Sequence, residues 1–308
     1  MGRVISADLR QNLTSLTSEA LLQAVENSSK TLLQTMNSLE SSLMVLAYEA
    51  EKALMGNPPE APRIYYAPEF DNPTLAPPNL TPYRRYLKNP ETGRFPTIFV
   101  SYDHPVFLLA PGVSKLSVEN DVKRLTRIAP TLKRLSGKLG KMVFWTYVST
   151  ENGIHISYPG HGGYPENYDP RRRPWYRDAA GDVQWTFPIV DATTGLVIFT
   201  ASKRFQHADR SNAGVVGMDI QITEILQEKE LAYDWSSQMR SFLVATSDNP
   251  ESNSPGLLIL AQRDYQDKQI AWSGIIEKEW LLSENSNKLD KIVLDLKDME
   301  SGYVELPY

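Results

Sequence analysis

The sequence predicts an α+β fold in which two modules with antiparallel sheets follow one long N-terminal helix. Residues 6 to about 55 contain neither proline nor glycine, and their apolar residues recur at helical spacing. From residue 142 the apolar pattern changes to the alternation and short apolar runs of strands. A second, smaller set of strand patterns follows after residue 240. This order of elements is typical of tandem α+β modules.

Length and composition exclude several classes of protein. The 308 residues are enough for one large or two medium domains, and an apolar content of 41% is ample for a packed core. The 32 basic and 37 acidic residues are scattered along the chain, so we expect no nucleic-acid partner. The chain has no cysteine, which excludes disulfides, thiolate metal sites and cysteine nucleophiles.

The first helix is unusually long. At about 1.5 Å per residue, some 50 helical residues form a rod of roughly 75 Å. Such a rod is typical of a stalk that rises from a membrane past one module to another, and an ordinary bundle or coiled-coil dimer helix is the alternative. The run Gly56-Asn57-Pro58-Pro59 ends the helix, and ten prolines between Pro58 and Pro96 predict an irregular segment.

A second helix and a five-stranded meander are predicted next. Residues 115–136 carry apolar side chains on one side and basic ones on the other. The strands are expected at residues 142–148, 154–158, 184–190, 197–205 and 214–220.

The second module is predicted to follow a helical link at residues 222–233, with strands at 241–246 and 257–261. We therefore expect a stalk helix over residues 1–56, a membrane-distal module over 57–221 and a membrane-proximal module over 222–308. The ligand pocket is expected in the distal module.

One loop concentrates the residues suited to recognition. Residues 164–180 are dense in tyrosine, tryptophan and arginine, and prolines stiffen the loop. Arginine offers a planar fork for a carboxylate, while aromatic rings supply apolar walls and faces that attract cations. This combination predicts a pocket for a small polar ligand with an anionic end.

The same loop belongs to a longer pattern, which consists of Tyr168–Tyr176, Trp185, Pro188, Asp191–Gly195 and Gly214–Asp219. This pattern resembles the double Cache sensor family. The resemblance implies tandem PAS-like modules on a long N-terminal helix, outside the membrane, in chemoreceptors, sensor kinases, nucleotide cyclases and phosphatases. Calcium-channel auxiliary subunits carry a similar run, so the pattern leaves the output open.

The resemblance to amino-acid-sensing members of that family implies a role for individual residues. Tyr168, Arg173 and Trp175 would hold the ligand carboxylate, while Tyr176 and Asp219 would hold the amino group. A second tyrosine of the family pattern is replaced by Ile189, which forms no hydrogen bond. Losing that hydroxyl costs about 1 to 2 kcal/mol. An amine, or a carboxylate without an α-amino group, therefore competes with an amino acid as the ligand.

The residues themselves add two candidates and some plainer interpretations. Tyr147 is expected to share a face with Trp145 and to line the cavity. Asp191 is a candidate ligand contact, although capping of the turn that follows it is favoured. Arg173 could instead form a structural ion pair, and Trp175 and Tyr176 could simply be core.

No catalytic, metal or cofactor site is predicted. The chain contains no Gly-x-Ser-x-Gly, phosphate-loop or His-Glu-x-x-His pattern. His155 and His161 are not expected to bind a metal. The run Gly160-His161-Gly162-Gly163 is expected to be a flexible loop.

We therefore predict the periplasmic or extracellular ligand-binding domain of a transmembrane signalling receptor. Its ligand is expected to be an amino acid, an amine or a small carboxylate. The chain would be a soluble fragment of a protein anchored by membrane helices outside it, with a homodimer through the stalk helix as one option. A structural or dimerisation module without a ligand is the alternative.

Overall fold

The computed structural model describes residues 2–83, 98–140, 142–221, 242–249, 254–262, 265, 271–281 and 290–294, without the side chains of residues 2–18 and 21. The chain divides into two compact units. One unit comprises Asn37–Ile225 and Gln266–Ile276, and the other comprises Met1–Met36, Leu226–Tyr265 and Glu277–Tyr308. The predicted α+β fold with antiparallel sheets is confirmed.

The long N-terminal helix is also confirmed, as α1 (Gly2–Met55). Within the first unit, Leu39, Leu43, Leu46 and Ala50 are fully buried, and their spacing of three and four residues places them on one face. Among the described residues, no helix combines the length and apolar character that a membrane span needs.

The proline-rich segment is irregular as far as it is described, and residues 84–97 lie outside the described residues. It contains the short helix α2 (Ala67–Phe70) and the two-residue strand β1 (Thr81–Pro82). The strands β2 (Phe99–Ser101) and β3 (Val106–Leu109) follow it.

The second predicted helix is broken into four pieces. They are the 3-10 turn Leu116–Val118, α3 (Glu119–Leu125), the 3-10 turn Thr126–Ile128 and α4 (Ala129–Leu139). Pro130 lies in the first turn of α4. Because proline has no N–H to donate, a continuous helix cannot run through that position without losing a hydrogen bond.

The main sheet has seven strands where the sequence predicted five. Their order is β3-β5-β4-β10-β9-β7, with β8 also paired to β9, and all pairs are antiparallel. The remaining bounds are β4 (Val143–Thr150), β5 (Ile154–Tyr158), β7 (Gln184–Trp185), β8 (Ile189–Val190), β9 (Val197–Gln206) and β10 (Asn212–Gln221). A separate sheet of β1, β2 and β6 (Gly160–His161) lies in the same unit.

Two differences explain the strand number. The four-residue strand β3 was missed. The single strand predicted at residues 184–190 is two strands, β7 and β8, separated by a gap that contains Pro188, which cannot donate to a ladder.

The centre of the main sheet is buried on both faces. All eight residues of β4 and eight of the ten in β10 are buried. The helix α4 packs against β4 and β5. The loop that holds the 3-10 turn Pro170–Arg172 and the helix α5 (Pro174–Arg177) contributes buried aromatic side chains to the core.

The second unit contains the two strands predicted for it. They are β11 (Phe242–Asn249) and β12 (Ser254–Gln262), which pair antiparallel. Trp280 forms a β-bridge with Leu258, and residues 290–294 are helical. The helical link predicted at 222–233 lies outside the described residues.

Candidate ligand-binding site

Strand alternation brings the first wall of the candidate site together. Trp145 and Tyr147 are two residues apart on β4, and therefore point to the same face of the sheet. Asp219 of β10 lies opposite Trp145 on one side and Thr200 of β9 on the other. His155, two strands away on β5, lies opposite Ser149 and completes this face.

These side chains and the loop that covers them enclose a cavity. Its volume is about 20 Å³, on the order of one water molecule. Seven of the eight predicted site residues line it, namely Tyr147, Tyr168, Arg173, Trp175, Ile189, Asp191 and Asp219. The cavity is thus contracted, and a ligand of amino-acid size requires its wall to open.

Tyr176 is the predicted residue that the structure does not bring to the cavity wall. Its side chain is buried in an apolar cluster with Ala179 and Val215, and burial raises the pKa of its hydroxyl. Successive residues of a helix point about 100° apart, and of the neighbours Trp175 and Tyr176 in α5 only Trp175 lines the cavity.

Asp219 is the most unusual group in the cavity. Its Oδ1 accepts hydrogen bonds from the Tyr147 hydroxyl at 2.8 Å and the Thr200 hydroxyl at 2.7 Å. Among the described residues, none donates to Oδ2. Burial, and then the nearby carboxylate of Asp191, raise the pKa of Asp219 to about 8. The uncharged acid is therefore the main form at neutral pH.

Asp191 serves two structural purposes. Its Oδ2 accepts from the Thr194 amide at 2.7 Å and the Thr194 hydroxyl at 2.6 Å, which caps the turn as the sequence predicted. Its side chain also lines the cavity, and burial raises its pKa. Two acidic groups therefore face one small space.

Arg173 is the cation of the cavity. Its Nη2 donates to the Val190 carbonyl at 2.5 Å and its Nη1 to the Trp272 carbonyl at 3.2 Å. These bonds hold the guanidinium in place, and they use two of its five N–H groups. Its Nε is buried without a partner among the described residues. The guanidinium is thus held by backbone carbonyls, and three of its N–H groups remain for a ligand.

Two histidines that the sequence interpretation set aside also line the cavity. Burial lowers the pKa of His155 to about 3 and that of His161 to about 4, so both rings are neutral at physiological pH. The two histidines therefore add no positive charge to the cavity. The alternation of β5, with Ile154 and Ile156 on the opposite face, is the signal that places His155 here.

His161 has a defined tautomer and a defined position. Its Nδ1 lies 2.8 Å from the Gly162 carbonyl, which can only accept, so Nδ1 carries the proton. Its Nε2 then accepts from the Tyr164 hydroxyl at 3.1 Å. The ring stacks between Trp145, at 4.0 Å between centroids, and Tyr164, at 4.7 Å. This three-ring stack forms one wall of the cavity.

The sequence predicted a flexible loop at the glycines beside His161, but the structure shows close packing there. A Cβ on Gly160 would lie 2.3 Å from the His104 carbonyl oxygen, and one on Gly162 would lie 2.1 Å from Oδ1 of Asp71. Glycine is required here because other backbone and side-chain atoms approach closely.

The cavity therefore offers one fixed guanidinium, two acidic groups and several aromatic faces. Among the described residues, no group of three or more histidine, aspartate or glutamate side chains could hold a metal ion. A small molecule with a positive and a negative end matches this arrangement best, since each charge finds an opposite partner in a site poor in water.

Comparison with known proteins finds a matching family model for the segment that forms this cavity. Residues 125–227 match the family model described as methyl-accepting chemotaxis protein-like, first PDC sensor domain. All residues that line the cavity lie in that segment. The predicted resemblance to Cache-type sensor modules is thereby confirmed.

Curated relatives are chemotaxis receptors. Methyl-accepting chemotaxis protein McpB of Bacillus subtilis is 35% identical over 135 residues, which are 36% of this chain and 20% of McpB. PctB of Pseudomonas aeruginosa is 30% identical over 91 residues, which are 29% of this chain and 14% of PctB. The matched part of the chain thus spans a fifth or less of the length of these two relatives.

Among solved structures, similarity is found to ligand-binding domains of chemoreceptors. The domain of Pseudomonas fluorescens CtaA in complex with L-serine is 23% identical, with a TM-score of 0.36 over 45% of this chain and 55% of that chain. The domain of Campylobacter jejuni Tlp3 in complex with L-norvaline is 14% identical, with a TM-score of 0.42 over 86% of this chain and 75% of that chain.

Proposed function

We propose that this chain is the ligand-binding region of a chemoreceptor, and that its cavity binds a small zwitterion of the amino-acid class. One observation carries the proposal. The carboxyl of Asp219, whose Oδ2 accepts from none of the described residues, lines the same cavity as the guanidinium of Arg173. Two backbone carbonyls hold that guanidinium, and its Nε has no partner within the described part of the chain.

The acidic side of the cavity is suited to an ammonium group. Asp219 and Asp191 repel each other when both are charged, and this repulsion contributes to the raised pKa of Asp219. A bound ammonium relieves the repulsion and donates a hydrogen bond to Oδ2 of Asp219, so binding at neutral pH displaces a proton from that carboxyl into solvent. The ring of Trp175, which lines the cavity, adds cation–π attraction.

The basic side is suited to a carboxylate. Arg173 cannot swing away, because Val190 and Trp272 hold it through their carbonyl oxygens. A charged group that is already in position loses little freedom when the ligand arrives. Its buried Nε also gains the partner that it lacks.

The relatives support the role as a receptor region. The matched segment carries the sequence of a chemoreceptor sensor domain, and McpB is about five times as long as the part that this chain covers. We place the chain on the outer side of the membrane, with residues 57–221 as the distal module and 222–308 as the proximal one, except that residues 266–276 belong to the compact unit of the cavity. The helix α1 would act as the stalk, and a homodimer through it is part of this proposal.

A thermal-shift screen of amino acids, amines and short carboxylates tests the function. We expect at least one zwitterion to stabilise the protein, by about 2.7 kcal/mol at a concentration of 100 times Kd. The variant Arg173→Ala should lose this stabilisation, because the carboxylate then has no cationic partner.

The neighbouring Arg172→Ala is the matched control. The Arg172 side chain is 86% exposed, so its removal should leave the ligand-induced shift unchanged. A screen in which no compound of the three classes stabilises the protein, or an Arg173→Ala variant that binds as tightly as the native chain, would contradict the proposal.

A further inference from the structure

We call the cavity described above, which Trp145, Tyr147 and Trp175 line, the ring-lined cavity. A second and larger pocket lies beside it, in the same compact unit. Its volume is about 370 Å³. Its walls come from the segment that includes β7 and β8 and from residues 274–276, with the apolar side chains Trp185, Phe187, Pro188, Ile189, Val190, Ile275 and Ile276. We call it the tail pocket.

The tail pocket and the ring-lined cavity share two residues, Arg173 and Ile189. The guanidinium of Arg173 donates to the carbonyl of Val190, whose residue lines the tail pocket. Ile189 is partly buried and packs against the aromatic cluster that includes Tyr147 and Trp175. The side chains of Ile189 and Arg173 therefore border both spaces.

The tail pocket is apolar in a way that suits a hydrocarbon group. The indole N–H of Trp185 donates to Oε1 of Glu40 at 2.9 Å, so the polar end of this side chain is already satisfied. Ile275 is 89% exposed at the pocket, although an isoleucine side chain gains free energy by leaving water. A ligand group lying against Ile275 and Trp185 would remove apolar surface from water, while Asp178, Gln184 and Thr186 form the polar part of the lining.

The ring-lined cavity has no comparable room for such a group. Its volume is only about 20 Å³, on the order of one water molecule, and several aromatic rings in its wall contact one another. The charged head of a ligand occupies this space once the wall opens. Any longer apolar chain must continue past Ile189.

We propose that the tail pocket receives the apolar chain of the same ligand whose charged head lies in the ring-lined cavity. The ligand class is thereby narrowed to zwitterionic amino acids with a long aliphatic or aromatic side chain. This inference rests on the proposed function. The polar cavity recognises the head, and the tail pocket selects for chain length.

Calorimetric titration of the whole 308-residue chain with a homologous series tests the inference. The ligands are L-alanine, L-norvaline, L-norleucine and L-2-aminooctanoate, which differ only in unbranched chain length. Each added methylene should lower Kd about three- to fourfold, the effect of transferring one CH2 group out of water.

Two exposed apolar residues provide a matched pair of variants. Ile275→Asp places a charge in the tail pocket and should weaken binding of L-2-aminooctanoate about tenfold or more, because the apolar chain would bury that charge. Leu116→Asp changes a residue that is 83% exposed and lies outside the lining of both spaces, so it should leave the series unchanged. Circular dichroism checks that both variants remain folded.

The outcomes separate the two proposals. If L-alanine binds but Kd does not change with chain length, the tail pocket is excluded and the proposed function stands. If chain length matters equally in Ile275→Asp, the apolar chain lies elsewhere and the inference is wrong. If no member of the series binds, and the wider screen also finds no ligand, the proposed function fails and the inference fails with it.

Discussion

The main sheet and the β11–β12 hairpin arise from the same kind of sequence signal but have different surroundings. In the main sheet every residue of β4 is buried. In β11 no residue is fully buried, and burial declines towards the turn. The comparison shows that strand patterning produces a ladder in either case, whereas the buried acidic group Asp219 occurs in the sheet whose centre is covered on both faces.

The largest difference in the effect of a substitution on the free energy of unfolding is expected between two aspartates. Asp219 of β10 is buried and Asp248 of β11 is exposed. A pKa of about 8 in the folded chain, against about 4 when unfolded, means that the folded state retains a proton that the unfolded state loses. The native chain therefore loses stability as pH rises from about 4 to about 8, by roughly 5 kcal/mol at most.

The variant Asp219→Asn should remove this loss, since asparagine stays neutral and retains an acceptor for Tyr147 and Thr200. Urea unfolding at pH 9 should show a gain in the free energy of unfolding of up to roughly 5 kcal/mol over the native chain, and a far smaller gain at pH 4. Asp248→Asn should change neither value by more than about 0.5 kcal/mol. Equal pH profiles for the native chain and Asp219→Asn would show that burial does not raise the pKa of Asp219.

Two strand glycines give the next largest difference. A Cβ on Gly217 of β10 would lie 2.3 Å from the ring of Tyr147, whereas the nearest atom to a Cβ on Gly256 of β12 is a ring carbon of Trp280 at 3.1 Å. Gly217→Ala should lower the free energy of unfolding by about 2 to 3 kcal/mol, as overpacking does in a dense core. Gly256→Ala should change it by less than about 1 kcal/mol, because the stiffer backbone offsets mild crowding. Denaturant midpoints measure both, and equal losses would remove the distinction in packing between the two sheets.

The smallest difference in the free energy of unfolding is expected when two valines are replaced by alanine. Val148 of β4 is completely buried, and Val244 of β11 is partly exposed. Val148→Ala should cost about 2 kcal/mol, from the lost burial of two carbons and the space left behind. Val244→Ala should cost less than about 1 kcal/mol, because water already reaches that position. A larger loss of thermal stability in Val244→Ala than in Val148→Ala would contradict the observed difference in burial between these two positions.

Much of the site could be predicted from the sequence because its residues follow local rules. Tyr147 is placed by its spacing from Trp145 in one strand, and Asp191 by the turn that it caps. The motif resemblance adds Tyr168, Arg173 and Trp175, which also line the cavity. Each of these positions depends mainly on backbone geometry within a few residues, which the sequence encodes directly.

Residues whose surroundings depend on distant segments were harder to place from the sequence. Tyr176 is buried in the apolar cluster and does not line the cavity, although neighbouring Trp175 does. His161 enters the wall because β6 pairs with β2, some 60 residues earlier in the chain. Gly160 is required by the carbonyl of His104, on another segment again.

The sequence by itself determined the long helix, most of the strands, the turn at Asp191 and the loop rich in aromatic and basic residues. Only the tertiary structure decided that Asp219 and Arg173 face one closed space, that two neutral histidines complete its wall, and that an apolar pocket adjoins it. The physical reason is the distance along the chain over which each property is determined. Periodicity is set by the geometry of neighbouring peptide units, whereas burial, pKa and the shape of a cavity depend on which remote segments exclude water from a given side chain.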